Sequence, residues 1–184
     1  MKVNGTKVVT NVVRFSYLHV SEPKSINGSE PKYSVSLIIP KSDTETINGI
    51  KQAIETAKQE GIGKFGGKIP ANLKLPLRDG DIDRPGDENY KNSYFVNANA
   101  TKKPGIVNKF LVKIEDDTEV YSGCYGKAAL TFYAFNTSGN KGIACGLNNL
   151  MKWEDGEPLG GGSRAEDDFA GEAAEISEED EDWL

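Results

Sequence analysis

Aromatic and basic side chains share one face of the strongest β segment in the sequence. In residues 121–135 the odd positions carry Tyr125, Lys127, Tyr133 and Phe135, while the even positions from 128 to 134 carry small or apolar side chains that suit a core. Exposed rings can stack on unpaired bases and lysines can follow phosphates, with little preference for base sequence. The pattern therefore indicates a surface with the chemistry of single-stranded nucleic-acid binding.

The same residue types recur in two other β-like segments. Residues 93–100 alternate between apolar and polar positions and are followed by two lysines, and the N-terminal run of residues 6–20 adds bases and rings. We expect residues 93–103 to lie beside the strongest strand, and the N-terminal run to add to the same surface. The full candidate set for nucleic-acid binding is Lys7, Arg14, Phe15, Tyr17, Phe95, Asn97, Lys102, Lys103, Tyr125, Lys127, Tyr133 and Phe135.

The charge of the chain is divided between a basic body and an acidic tail. Residues 154–184 contain 13 Asp and Glu and one Arg, so their net charge is −12, whereas the net charge of the whole chain is −6. Residues 1–153 therefore carry +6. The tail closes with five consecutive acids followed by Trp183 and Leu184.

Two interpretations of this tail remain open. A tethered polyanion can occupy a basic surface as an internal competitor for phosphates, and Trp183 and Leu184 can fill an apolar pocket on a protein partner. Alternatively, the acids only solubilise the protein. For the first interpretation, the partner-binding residues are Glu178, Glu179, Asp180, Glu181, Asp182, Trp183 and Leu184.

Catalytic and metal-binding residues are scarce. The chain has a single histidine, His19, and two cysteines, Cys124 and Cys145, at spacings unlike a zinc site or a nucleophile–base pair. The two cysteines are predicted to be small buried hydrophobic residues. We predict no enzymatic activity, no cofactor and no metal.

Two motif-like stretches do not have the context that their function requires. Residues 61–66 spell G-x-G-x-x-G, but they follow a predicted helix rather than a strand, and Pro70 prevents a long helix after them. Residues 79–90 begin like a calcium loop, but place Arg84 where Gly is needed and Tyr90 where Glu is needed. A nucleotide site and a calcium site are therefore not expected.

The remaining pattern predicts one mainly β domain over residues 1–153 and a Gly-rich linker with a disordered acidic tail over residues 154–184. Residues 32–39 alternate as a half-buried strand, and residues 6–20 form a long run that we expect to bend or bulge near Arg14. With Gly-rich turns between about five strands, the architecture is a small, elaborated five-stranded barrel. No membrane span or secretion signal is present, so we expect an intracellular protein.

One convincing helix is predicted. Ser42-Asp43-Thr44-Glu45 has the form of a capping box, with Ser42 as the cap. Ile47, Ile50, Ile54 and Ala57 then follow at intervals of three and four, which is typical of a helix with one apolar stripe. Gly61 is expected to end it.

Several motifs resemble a known family. The chain is similar to a family of tailed-phage proteins, first described as a domain of unknown function and now regarded as single-stranded-DNA-binding proteins with an OB-fold. The likeness covers roughly residues 5–160. The motifs that carry it are Leu77-Arg78-Asp79-Gly80-Asp81, Tyr94-Phe95-Val96-Asn97-Ala98, Tyr121-Ser122-Gly123-Cys124-Tyr125-Gly126, Phe132-Tyr133-Ala134-Phe135-Asn136 and Lys141-Gly142-Ile143-Ala144-Cys145-Gly146-Leu147-Asn148-Asn149.

The resemblance implies DNA replication, recombination or repair during infection, in the host cytoplasm. The acidic tail is similar in plan to those of bacterial and phage single-strand binders, which recruit a polymerase, helicase or nuclease; here Leu184 follows Trp183 in place of a terminal Phe. The expected partners are single-stranded DNA and such replication or recombination proteins, and a homo-oligomer is also compatible with the sequence. Binding of duplex DNA or RNA, or a structural phage role with a solubilising tail, remains the alternative.

Overall fold

Nine strands and one long helix form the described part of the chain. The computed structural model describes residues 1–25, 28–159, 169–172 and 174. Three short 3₁₀ turns, at Ile62–Phe65, Glu88–Tyr90 and Asp117–Glu119, lie between the main elements. In chain order the strands and α-helices are β1 (Lys2–Asn4), β2 (Lys7–Val9), β3 (Val13–Lys24), β4 (Lys32–Pro40), α1 (Thr44–Glu60), β5 (Leu77–Asp79), α2 (Gly80–Asp83), β6 (Ser93–Ala100), β7 (Gly105–Asn108), β8 (Tyr125–Thr137) and β9 (Asn140–Glu154).

Five of these strands close into a barrel. The ring runs β3–β4–β6–β9–β8 and returns from β8 to β3. Every pair in it is antiparallel except β6 and β9, which run parallel and meet at Asn99 and Gly146. The β1–β2 hairpin pairs with β8, β5 pairs with β6, and β7 pairs with β9, so the barrel is elaborated at its edges. The predicted mainly β, OB-fold-like barrel with one main helix is confirmed.

The long N-terminal β run is two strands rather than one bent strand. The break lies at residues 10–12. There the hydroxyl of the buried Thr10 accepts a hydrogen bond from the backbone N–H of Ala128, at 3.0 Å. The backbone N–H of Asn11 donates to the Thr46 hydroxyl at the start of α1, at 3.2 Å. The run is thus divided at residues 10–12, and its second strand also bulges between Ser16 and His19, close to the predicted bend or bulge near Arg14.

Helix α1 is capped one residue later than the sequence indicated. The Asp43 carboxylate, rather than the Ser42 hydroxyl, accepts the backbone N–H of Thr46, at 3.1 Å. A carboxylate is also the favoured group beside the positive N-terminal end of a helix. The predicted stripe Ile47, Ile50, Ile54 and Ala57 is buried, and Gly61 is the C-cap as expected.

The hydrophobic residues form two clusters on opposite sides of the barrel wall. The main core fills the barrel and the space under α1, and it includes the inward side chains of β4 and β8, such as Leu37 and Phe132. A smaller cluster of Ile38, Tyr90 and Phe95 lies on the outer side of β4 and β6. Residues 80–92 cover this second cluster, so part of the outer sheet face is closed to solvent.

The folded body continues past Trp153. The Tyr121 hydroxyl donates to the Gly156 carbonyl at 2.9 Å, and Arg14 donates to the Glu157 carbonyl at 2.7 Å. At Gly123, with φ near +115°, a side chain would also collide with the Glu157 carbonyl. We therefore propose that the body extends to Leu159, six residues beyond the predicted boundary at residue 153.

Candidate nucleic-acid interface

Two adjoining cavities form a groove across the outer face of β4, β6 and β9. The first has a volume of about 520 Å³ and the second about 360 Å³, and both are lined by Asn99. We call their union the groove. Its lining residues are Tyr17, His19, Lys24, Lys32, Ser34, Val35, Ser36, Arg84, Asn97, Asn99, Ala100, Thr101, Lys102, Lys103, Gly105, Tyr133, Gly146, Leu147, Asn148 and Asn149.

The floor of the groove follows from strand register. Ser34 lies opposite Asn99 and Ser36 opposite Asn97 in the β4–β6 ladder, and residues opposite each other share a face. Asn99 in turn lies beside Gly146 of β9. The intervening Val35 and Ala98 belong to the core cluster. Period-2 alternation therefore places these side chains on the outer side of the sheet. Ser36 is buried there and accepts the Tyr90 hydroxyl at 2.9 Å, so Ser34, Asn97 and Asn99 are the ones that can donate to and accept from base edges.

Tyr17 stands at one end of the groove because β3 bulges there. The register of β3 against β4 shifts between Ser16 and His19, and Tyr17 adopts φ of 45°. The side chain is 54% exposed, and the Arg84 guanidinium lies 5.0 Å from its ring centroid. The same guanidinium lies 4.7 Å from the ring of Tyr90, which is buried. Arg84 thus fixes the exposed Tyr17 ring against the body of the protein.

Tyr133 stands at the other end of the groove. It is on the outer face of β8 and 48% exposed. Beside it, Gly146 leaves the ring uncovered, since a side chain at that position would come within 3.6 Å of the ring. Asn148 donates to the Thr131 hydroxyl at 2.8 Å, so the polar surface next to the ring is also ordered. The two ends of the groove therefore each present an aromatic face to solvent.

The charges along the groove are positive. Lys24, Lys32, Lys102, Lys103 and Arg84 line it, and no Asp or Glu is among the lining residues in the described part of the chain. Such a rim suits a phosphate backbone.

Two titratable groups in the groove are perturbed. Lys103 forms a 2.9 Å ion pair with Asp117, and the hydrogen bond in it raises the Lys103 pKa. Partial burial, with a smaller contribution from Lys24, lowers the pKa of His19, so this imidazole is neutral at pH 7. His19 therefore adds no positive charge to the free groove at that pH.

The structure brings some of the sequence-predicted residues together and separates others. Tyr17, Asn97, Lys102, Lys103 and Tyr133 line the groove. The remaining ones are buried, hold the chain after β9, or lie beside the groove.

Phe15 and Phe95 are not available for stacking. Phe15 is 0% exposed and lies inside the barrel, where its ring leaves no room for a side chain at Gly126. Phe95 does lie on the outer face of β6, as its alternation with Val96 predicts, but is only 3% exposed. The ring of Tyr90 covers it edge-on, with centroids 5.1 Å apart. Because both rings are buried, the prediction that they are exposed stacking platforms was wrong.

Arg14 and Tyr125 hold the chain after β9. The Arg14 guanidinium donates to the carbonyls of Gly123 and Glu157 and lies 5.4 Å from the centroid of the Tyr125 ring. A side chain at Gly156 would collide with that same ring. Their observed contacts fasten residues 155–159 rather than line the groove.

Three predicted residues lie beside the groove. Lys7 is exposed and pairs with Thr131, so it shares the face that carries Tyr133. Lys127 is further along β8, over the ring of Trp153 at 5.4 Å. Phe135 is half-buried near the β8–β9 turn, against Gly142. The predicted tail residues 178–184 lie outside the described residues.

Sequence reasoning missed several groove residues. Asn99 shares the alternating row of Asn97, and Asn148 and Asn149 belong to one of the motifs that carry the family resemblance, but none of the three was predicted to bind nucleic acid. Ser34 and Ser36 were visible as the outward side of an alternating strand. Arg84 comes from the connection between α1 and β6, which the sequence analysis did not assign to the site. Its position over Tyr17 depends on a distant part of the chain.

Cys124 and Cys145 are buried free cysteines, as expected. Within the described ranges, no group of three His, Cys, Asp or Glu side chains is placed to hold a metal ion. None of the helices there has the length and apolar composition needed to cross a membrane.

Comparison with known proteins gives a consistent result. The family model for the ssDNA-binding protein of Enterobacter phage Enc34 matches residues 6–184. Putative protein p50 of Acyrthosiphon pisum secondary endosymbiont phage 1 is 29% identical over 167 residues, covering 86% of this chain and 89% of that protein.

Solved structures share the fold. The single-stranded DNA-binding protein from bacteriophage Enc34, in complex with ssDNA, matches with a TM-score of 0.76 at 26% identity, covering 87% of this chain and 96% of that one. The crystal structure of gp2.5, a single-stranded DNA binding protein encoded by bacteriophage T7, matches with a TM-score of 0.61 at 20% identity, covering 93% and 96%, which shows a common fold. The resemblance inferred from the motifs is confirmed, and the chain belongs to the Enterobacter phage Enc34 ssDNA-binding protein family.

Proposed function

We propose that this chain is a non-enzymatic phage protein that binds single-stranded DNA in the groove, with little preference for sequence. The observation that carries the proposal is the pair of exposed rings, Tyr17 and Tyr133, at the two ends of an amide-lined, lysine-rimmed groove. Stacking on rings tolerates every base, and lysines contact only the backbone. Family membership and the Enc34 structure in complex with ssDNA support the same function.

The groove has room for a short stretch of single strand. From β3 to β8 across β4, β6 and β9 there are four strand spacings, or about 19 Å at ~4.8 Å each. At a stacked rise of ~3.4 Å this corresponds to about five nucleotides, near the lower end of the range of ~4–16 for one OB-fold. The strand would cross the barrel strands, with one base on each terminal ring.

Fluorescence titrations with poly-dT, a DNA duplex and a single-stranded RNA test this function. We expect the tightest binding to poly-dT, because only unpaired bases present the π-faces that Tyr17 and Tyr133 require. Affinity should fall with salt by about 0.7 logarithmic units per neutralised phosphate for each tenfold rise in salt. Tighter binding of the duplex or of RNA would contradict the proposal and favour the alternative partners on the same barrel.

The acidic segment is proposed to compete with DNA for the groove. Leu159, the last residue before residues 160–168, lies in a cavity shared with Tyr17, His19 and Lys24 at one end of the groove. The chain therefore leaves the described body at Leu159, beside Lys24 of the groove. A tethered polyanion at this position is present at high effective concentration, and single-stranded DNA would displace it.

Neutralising the acids is predicted to tighten DNA binding. We expect a full-length variant with Glu178→Gln, Glu179→Gln, Asp180→Asn, Glu181→Gln and Asp182→Asn to bind poly-dT more tightly and with a steeper salt dependence. A chain stopped after Leu159 should behave in the same way, and it retains the contacts of Gly156 and Glu157 that a stop after Trp153 would remove. Affinities equal to the wild type in both variants would rule out competition.

We also propose that the released segment recruits replication or recombination proteins, in the host cytoplasm, while the body protects the single strand. Trp183 and Leu184 supply an apolar anchor, and the acids steer it to a basic rim on the partner. Pull-downs from infected cells with the wild type and with a Trp183→Ala, Leu184→Ala variant compare the captured proteins. Loss of a polymerase, helicase or nuclease from the variant is expected, and identical captures would support a purely solubilising segment.

A further inference from the structure

A second aromatic surface lies outside the groove, where β8 begins and β9 ends. Phe110, in the loop after β7, is 74% exposed, and Trp153, near the end of β9, is 39% exposed. Lys109 and Lys127 accompany them. We call these four residues the Trp153 strip.

The lysines of the strip are organised by its rings. The Lys109 ammonium lies 5.6 Å from the Phe110 centroid and 5.9 Å from the Trp153 centroid, so it stands between the two rings. The Lys127 ammonium lies 5.4 Å from the Trp153 centroid. Neither lysine forms an ion pair with any described residue. Both charges therefore remain available to an anionic ligand.

The loop that carries Phe110 has a defined conformation. The Asn108 side chain accepts the backbone N–H groups of Phe110 and Val112, at 2.9 and 3.1 Å. The Asn108 N–H donates to the Val112 carbonyl at 2.8 Å, and Leu111 takes φ of 64° to close the turn. The Phe110 ring is thus presented to solvent by a hydrogen-bonded turn, at little ordering cost on binding.

Strand register connects the strip to the groove. Asn149, which lines the groove, lies opposite Ala129, and Met151 lies opposite Lys127 two residues further along the same outward row. Trp153 follows two residues later. The distance along β9 from Asn149 to Trp153 is about 13 Å at ~3.3 Å per residue, which is about four nucleotides at a stacked rise of ~3.4 Å.

We propose that the Trp153 strip is a second stacking station for single-stranded DNA, reached by a strand that leaves the groove past Asn149. This inference rests on the proposed function and extends the binding footprint beyond the groove. Alternating rings and unpaired lysines match a nucleic acid better than a protein partner, because each ring pairs with a backbone-directed charge. The exposed Leu111 and Val112 of the same loop have no π-face and supply the control.

Titrations with dT oligomers of increasing length test the second station, using Phe110→Ala and the matched Val112→Ala. For oligomers of about 5 nucleotides, which fill only the groove, we expect both variants to bind like the wild type. For oligomers of about 16 nucleotides, we expect Phe110→Ala to bind at least about fivefold more weakly and Val112→Ala to be unchanged. Trp153→Ala should show the same length dependence as Phe110→Ala.

The outcomes separate this inference from the function on which it rests. Wild-type affinity of Phe110→Ala for every length would overturn the second station while leaving groove binding intact. Failure of the wild type to bind any oligomer would instead remove the proposed function. Sedimentation of the variants without DNA is a further readout. If Phe110→Ala and Val112→Ala both abolish self-association but leave the affinity for long oligomers unchanged, the loop contacts another protein copy. That result would show that the inference is wrong.

Discussion

Replacement of both Tyr17 and Tyr133 by alanine is expected to weaken binding of every DNA homopolymer by about thirtyfold or more. Each base stacked on an aromatic ring contributes about 1–3 kcal/mol. The two rings line different cavities of the groove and do not contact each other, so their losses should add approximately. Equilibrium titrations with dT, dA and dC oligomers measure the effect, and the single variants should each show about half of the loss in binding free energy.

Phenylalanine variants provide the control. Tyr17→Phe and Tyr133→Phe keep the ring and should bind nearly as the wild type. The salt dependence of the alanine variants should also stay unchanged, because a ring releases no counterions from the phosphates. Both tyrosines are about half exposed, so the folded state should be retained, as circular dichroism would show. Wild-type affinity in the double alanine variant would contradict the placement of DNA in the groove.

Replacement of Phe15 by alanine is expected to destabilise the protein rather than remove a DNA contact. The ring is 0% exposed within the main core, and large-to-small substitutions of buried phenylalanines cost about 3–5 kcal/mol. That is a large share of the total stability of a single domain, typically about 5–15 kcal/mol. Urea denaturation followed by circular dichroism measures the shift in midpoint.

Phe15→Leu separates a packing role of this residue from a DNA-contact role. It preserves most of the buried volume and removes the aromatic face, so it should be folded and should bind dT oligomers with wild-type affinity. A folded Phe15→Leu variant with strongly reduced DNA affinity would show instead that the ring contacts DNA.

The barrel was largely predictable from local patterns. Val35 and Leu37 alternate with Ser34 and Ser36, and the odd positions of residues 125–135 alternate with buried ones, so the inner and outer faces of β4 and β8 follow from period 2 alone. The helix likewise follows from the spacing of its isoleucines. These signals arise within one element and need no knowledge of its neighbours.

What was missed depends on contacts between distant parts of the chain. Alternation places Phe95 on the outer face correctly, but only the fold shows that Tyr90 covers it and that Arg84 packs on both rings. Arg14 has the residue type of a phosphate ligand, yet it is engaged by the carbonyl of Glu157, 143 residues later. Residue type predicts what a side chain can bind, whereas tertiary contacts decide what remains accessible.

Amide chemical-shift mapping of the full-length chain with a dT oligomer of about 5 nucleotides, which fills only the groove, tests the central claim most directly. The exposed face of α1, at Gln52, Glu55 and Gln59, provides a reference surface away from the groove. We predict the largest changes at residues 17–19, 97–103 and 146–149, with the reference surface unaffected. Changes concentrated on α1, or spread evenly over the barrel without enrichment in the groove, would contradict the account.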